Sequence, residues 1–249
     1  MKPGAIGLAG AGLLLVGTLL PAGTNATQFV DFDVTVGGFL AATIFLHWGW
    51  ILTGGVVSWA ILARGPQPDL VGILGGIGVT LSALYVSVLL RSLTDSGLGA
   101  EGTGLNYYVA TLGAVLILVG ALLARKEGTA TSAGGPANST AAIIVLAGAA
   151  IVLIGTLLDS GDDDFTFVTL SGDVETLWQV LTHWAPLAAV VWAATRERGF
   201  LRGSATGLGL AMTIYYLAAL WAVATLDSTL IGPNHPVALV GAFVMLAGG

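Results

Sequence analysis

The sequence predicts an all-α polytopic membrane protein, eight transmembrane helices in two fused four-helix units, on three observations. The first is composition: of 249 residues, 55% are apolar and only 9% charged, with a net charge of -6 and a mean hydropathy of +0.91, far from soluble usage. The second is a set of eight charge-free runs close to the roughly 20 residues that a helix needs to cross a ~30 Å hydrocarbon core. The third is an echo of the first half of the chain in the second.

The runs fall at residues 4–21, 38–63, 70–90, 106–124, 141–158, 176–195, 204–226 and 233–249. Run 4–21 follows Lys2 and reads either as a helix or as a cleaved signal peptide. Run 38–63 carries "IFLHWGWILTGG" and stops at Arg64, while 70–90 opens after Asp69 with "GILGG", where Gly72 and Gly76 share one helix face and invite close packing. Run 106–124 stops at Arg125 and Lys126, and 141–158 follows the polar stretch "TATSAGGPANST". Run 176–195 carries "QVLTHWAPLAAV" and stops at Arg196; 204–226 follows Arg202; 233–249 opens with Asn234 as the expected N-cap and Pro236 at the first helical position.

Orientation follows from the cytoplasmic bias of Lys and Arg. With both termini cytoplasmic, Lys2, Arg64, Arg125, Lys126, Arg196, Arg198 and Arg202 lie inside, and only Arg91 lies outside. Asp31, Asp33, Asp95, Glu101, Asp159, Asp162, Asp163, Asp164, Asp173, Glu175 and Asp227 all fall outside on the same reading. The expected location is the cell membrane, with lipid and other membrane subunits as partners.

"LLLVGTLL" at 13–20 echoes "IVLIGTLL" at 151–158, placing Gly17 and Gly155 138 residues apart. His47-Trp48 and His183-Trp184 stand 136 apart, Arg64-Gly65 and Arg198-Gly199 134, and Asn106 and Asn234 128, with Gly113 and Gly120 matching Gly241 and Gly248 at that offset. Four echoes in one order, with shrinking offsets, predict units at 1–124 and 141–249 joined by a cytoplasmic linker at 125–140. Four spans per unit makes the repeat parallel, with a pseudo-twofold axis along the membrane normal. Since 141–158 is internal, its counterpart 4–21 is expected to stay as a helix. The outer segments "FVDFDVTVGG" and "DFTFVTLSGD" alternate apolar and polar residues, as a short strand or interfacial turn does.

Several chemistries are excluded by residue type. There is no cysteine, hence no disulfide or thiol chemistry, and lysine occurs only at Lys2 and Lys126, so nucleic acid is not an expected partner and no mid-membrane Schiff base can form. HExxH, Gly-x-Ser-x-Gly and phosphate-binding glycine loops are missing. No acid lies within a run, which argues against proton- or sodium-coupled transport and leaves passage of a small neutral or apolar solute. The acids of "DSGDDDF" lack EF-hand spacing and read as a solvated loop. Asn25 is an outside glycosylation sequon, and Asn138 falls on the cytoplasmic side.

His47 and His183 are the ionisable groups at membrane depth, roughly 12 to 15 Å below the outer surface at 1.5 Å per residue. On one reading they bind a cofactor, ligating a metal ion or the iron of haem b. On the other, each hydrogen-bonds a neighbouring helix through Tyr85, Tyr215, Tyr216 or Gln179, while Trp48, Trp50 and Trp184 pack or line a pocket. With His47, His183 and His235 on even-numbered spans, the architecture resembles the haem A synthases, two fused four-helix units with histidines on such helices. The resemblance implies haem ligation. It departs at Tyr107, where a fourth histidine belongs, and in lacking an acid near His47 and cysteine-bearing outer loops. The low lysine and acidic loops resemble proteins of salt-adapted archaea. The sequence therefore leads to a non-enzymatic membrane protein without cofactor, a structural or accessory subunit or a solute passage, with a haem- or metal-binding redox protein as the alternative.

Overall fold

In the computed structural model the described residues are 2–20, 29–30, 37–94, 103–128, 139–159, 167–168, 170, 174–194, 198–226 and 231–249. They form eight helices: α1 (Pro3–Leu19), α2 (Gly37–Arg64), α3 (Pro68–Thr94), α4 (Leu105–Gly128), α5 (Ser139–Leu157), α6 (Val174–Ala193), α7 (Arg198–Leu226) and α8 (Asn234–Gly248). Most of the two alternating outer segments lies outside the described residues, and no strand occurs among the residues described.

Five helices, α2, α3, α4, α5 and α7, are long and apolar enough to cross a membrane, whereas α1 and α8 are apolar but shorter. Their outward faces carry Leu52, Val56, Trp59, Leu105, Leu112, Ile143, Ile154 and Val240, all more than half exposed. A water-soluble chain would bury them; lipid contact removes the need.

Helices outrun the apolar runs at several ends. α7 starts at Arg198 rather than residue 204, and α3 and α4 extend to Thr94 and Gly128. Charge ends an apolar run but not a helix: Arg and Lys are good helix formers, and their backbone hydrogen bonds continue into the polar interface. α2 ends where Gly65 takes φ +85, its N–H bonding Ile61 O at 2.9 Å, the left-handed cap that glycine adopts without strain. Asn234 is the first residue of α8, not its cap; Pro233 holds that position, and Asn234 Oδ1 accepts from the backbone N–H of His235 at 2.8 Å.

α3 and α7 cross at the centre, and glycine sets how closely. A Cβ at Gly76 would lie 2.6 Å from Leu208 N and 2.7 Å from Ser204 O; one at Gly72 would lie 2.7 Å from Phe200 O. From the other side, Gly203 and Gly207 press against the backbone of Asp69 and Ile73. The expected Gly72–Gly76 face is thus one half of a backbone-to-backbone contact. α1 packs on α4 through Gly10, whose Cβ would meet Gly113 O at 2.7 Å and Ile117 N at 2.8 Å; α5 packs on α8 through Gly148, facing Met245 N at 2.6 Å and Gly241 O at 2.8 Å. α2 leans more on α7 than on α3, and α6 more on α3 than on α7. Helices from the two halves of the chain therefore pack against one another throughout.

Candidate functional site

The histidines lie in two buried aromatic clusters. His47 on α2 meets Tyr85 on α3, Nδ1 to hydroxyl 2.5 Å, and the Phe29 ring lies tilted or edge-on 5.4 Å from His47, 5.2 Å from Tyr85 and 5.0 Å from Tyr107. His183 on α6 meets Tyr216 on α7 at 3.0 Å, and Phe167 lies 5.2 Å from His183, 5.2 Å from Tyr216 and 5.0 Å from His235. Each phenylalanine sits just beyond the helix that precedes it, pinned by a backbone bond one residue on: Val30 N to Thr18 O at 3.3 Å, and Val168 N to Thr156 O at 2.9 Å.

Neither tyrosine hydroxyl has a second partner among the described residues. A buried O–H must donate, so each phenol gives its proton to Nδ1 and each imidazole carries its own hydrogen on Nε2, an assignment made from the hydrogen-bond network. The two clusters touch through Trp50 and Tyr215. Trp50 lies 6.3 Å from His47, stacks on Tyr215 at 6.4 Å and donates Nε1–H to Ala211 O at 3.1 Å, and Tyr215 lies 5.4 Å from His183.

The remaining residues singled out in the sequence fall around these clusters. Trp184 donates to the Thr156 hydroxyl at 3.1 Å, bridging α6 to α5, and Trp48 packs half-buried against the core. Gln179 lies one turn before His183 and lines a cavity. No protein-family model, curated protein or solved structure matches the chain.

That cavity is a half-open space of about 430 Å³. Leu84, Ser87, Val88 and Arg91 form one helical face of α3, Tyr215, Ala219 and Ala222 with Val223 one face of α7, and Trp178, Gln179, Thr182 and His183 one face of α6. Spacing of three and four puts each set on a single stripe. The void follows from the glycine crossing: α3 and α7 touch at residues 72–76 and 203–207 and are apart again by residues 84 and 215, where α6 enters between them. Phe167 and His235 close one wall. No carboxylate lines the cavity among the described residues.

Ser87 and Thr182 bridge α3 and α6 at 2.6 Å, while Ser87 also faces Leu84 O at 2.7 Å and Thr182 faces Trp178 O at 2.9 Å. Two hydroxyl protons serve three contacts, so what the pair has left is lone pairs. His183 offers the complement: it is 5% exposed, lines the cavity, and its Nε2–H bonds no protein group among the described residues. Trp178, Ser87, Thr182, Arg91 and the two phenylalanines were not picked out by sequence reasoning. For Phe29 and Phe167 a signal existed, since they stand 138 residues apart, the offset of Gly17 and Gly155. Among the described residues, no group of three or more His, Asp or Glu side chains is placed to hold a metal ion.

Proposed function

We propose that this chain is a multi-pass protein of the cell membrane, without catalytic activity, that admits a small neutral or apolar molecule into the cavity beside His183. The observation that carries the reading is the cavity itself: mostly apolar, without a lining carboxylate, and of a size typical of small-molecule sites. Such a lining suits an uncharged molecule and gives no purchase to a coupling cation. Titrating purified protein in detergent with 1-aminoanthracene tests it. Saturable fluorescence enhancement above empty micelles is expected, abolished by Ala219→Trp, which fills the cavity; an identical response from Ala219→Trp would sink the reading.

The same proposal takes the chain as two like four-helix units around a pseudo-twofold axis, all eight helices spanning and both termini cytoplasmic. Its support is pairwise. His47–Tyr85–Phe29 has its like in His183–Tyr216–Phe167, Gly10 on Gly113 in Gly148 on Gly241, and Gly72 and Gly76 in Gly203 and Gly207. The Arg and Lys bias supplies the orientation.

A haem or metal reading keeps one point in its favour: a tyrosine fixes Nδ1 of both histidines, as partners of ligating imidazoles do. Ligation through Nε2 would require that proton to leave and the phenol proton, now without an acceptor, to stay buried. An absorption spectrum of protein from its native membrane, oxidised and dithionite-reduced, with metal analysis, decides it: a stoichiometric haem or metal signal lost in His183→Ala would displace the uncharged-solute reading.

A further inference from the structure

We infer that the molecule held beside His183 is a lipid-soluble quinone, its ring between the aromatic walls and one carbonyl on the imidazole. This rests on the cavity being a binding site, and it names the ligand by the chemistry of the walls. Three features select it. First, the walls are rings: Phe167, Trp178 and Tyr215 surround His183, and Phe167 and Tyr215 stand 5.2 and 5.4 Å from it, a setting that favours a planar ring over a flexible chain. Second, a buried side chain that lines the space holds a donor without a protein partner among the described residues. With Tyr216 giving its proton to Nδ1, His183 presents Nε2–H, which bonds no protein group among the described residues and suits a neutral acceptor such as a carbonyl oxygen. Third, the Ser87–Thr182 pair has spare lone pairs and no spare proton, so the opposite requirement, a hydroxyl to donate, is met on another wall.

A 1,4-quinone carries acceptors at both ends of a flat ring, and its quinol form carries hydroxyls there. The same site therefore suits both redox forms, the first through His183 and the second through Ser87 and Thr182. A molecule of this kind already resides in the bilayer. A cation finds no carboxylate among the described lining residues, and an anion, although Arg91 belongs to the lining, would have to leave water for a mostly apolar space.

The probe is decylubiquinone, with decylbenzene as a tail-matched molecule lacking carbonyls, in equilibrium uptake by the full chain in detergent against empty micelles. Saturable uptake of about one decylubiquinone per chain is expected, weakened about 10-fold in His183→Phe, one hydrogen bond's worth, and a carbonyl stretch of the bound quinone below its value in micelles. His47→Phe, outside the cavity, should leave uptake unchanged. Should His183→Phe not fold, Ala219→Trp replaces it, with uptake expected to vanish. Equal uptake of decylbenzene, or an unshifted carbonyl stretch, overturns the quinone assignment and leaves the cavity as a site for apolar solutes. Saturable uptake of neither probe, with no 1-aminoanthracene response, overturns both.

Discussion

Asn106 is the second residue of α4 and Asn234 the first of α8, both fully buried, yet only Asn234 is answered by its neighbour. Its Oδ1 accepts from the backbone N–H of His235 at 2.8 Å and faces Nδ1 at 2.7 Å. Beside Asn106 stands Tyr107, which has no ring nitrogen, and neither atom of the Asn106 carboxamide has a partner. A buried amide in that condition costs about 1–3 kcal/mol. Asn106→Leu is therefore expected to raise the thermal melting temperature in detergent, and Asn234→Leu to lower it; a matching loss in both would mean that Asn106 is satisfied after all. The histidine–tyrosine pairs are graded by the same physics. Tyr216→Phe leaves His183 Nδ1 without its donor and should cost roughly 0.6–2 kcal/mol, the range for interhelical hydrogen bonds in membranes, read as a lower melting temperature.

At the level of elements, glycine decides which helices meet. Gly76→Leu places a branched side chain where even a Cβ would lie 2.6 Å from Leu208 N, whereas Gly12 has nothing within 4 Å of its Cβ position. Gly76→Leu should cost about 1–3 kcal/mol or more through overpacking, and Gly12→Ala should be neutral or stabilise by up to about 1 kcal/mol through helix propensity. Comparable losses in the two variants, measured by thermal unfolding in detergent, would refute the crossing. The helices themselves were legible, because an apolar run between charges leaves the backbone little choice in lipid. Their partners were less so. Tyr85 and Tyr216 stood among the candidate histidine partners, but assigning each needs the knowledge that α2 meets α3 there and α6 meets α7. The cavity was not legible at all: Ser87 and Thr182 lie on helices 80 residues apart along the chain, and only the glycine crossing, with α6 leaning on α3, brings them together.

For the molecule as a whole, topology is open to direct measurement because the native chain has no cysteine. A single cysteine at Gln67, exposed between α2 and α3, is expected to react with a membrane-impermeant maleimide only from the cytoplasmic side, and one at exposed Asp159, just past α5, only from outside. Labelling of both from the same side would invalidate the parallel repeat, since an odd number of spans is expected between them. The end of the molecule that carries Arg125 also holds an internal clamp. The Arg125 guanidinium lies 4.7 Å from the Trp192 ring and 4.6 Å from the Phe200 ring, tying α4 to α6 and α7. A cation between two faces contributes about 0.5–2 kcal/mol.

The glycine crossing of α3 and α7 sits near one end of both helices, and that makes it a fulcrum with unequal arms. Beyond Gly76, α3 runs to Thr94, an arm of about 27 Å at 1.5 Å per residue, against a single turn on the other side. A turn of about 5° at the crossing would carry the far end of such an arm about 2 Å. The small residues that let the helices touch thus also set how far apart α3 and α7 stand at residues 84 and 215.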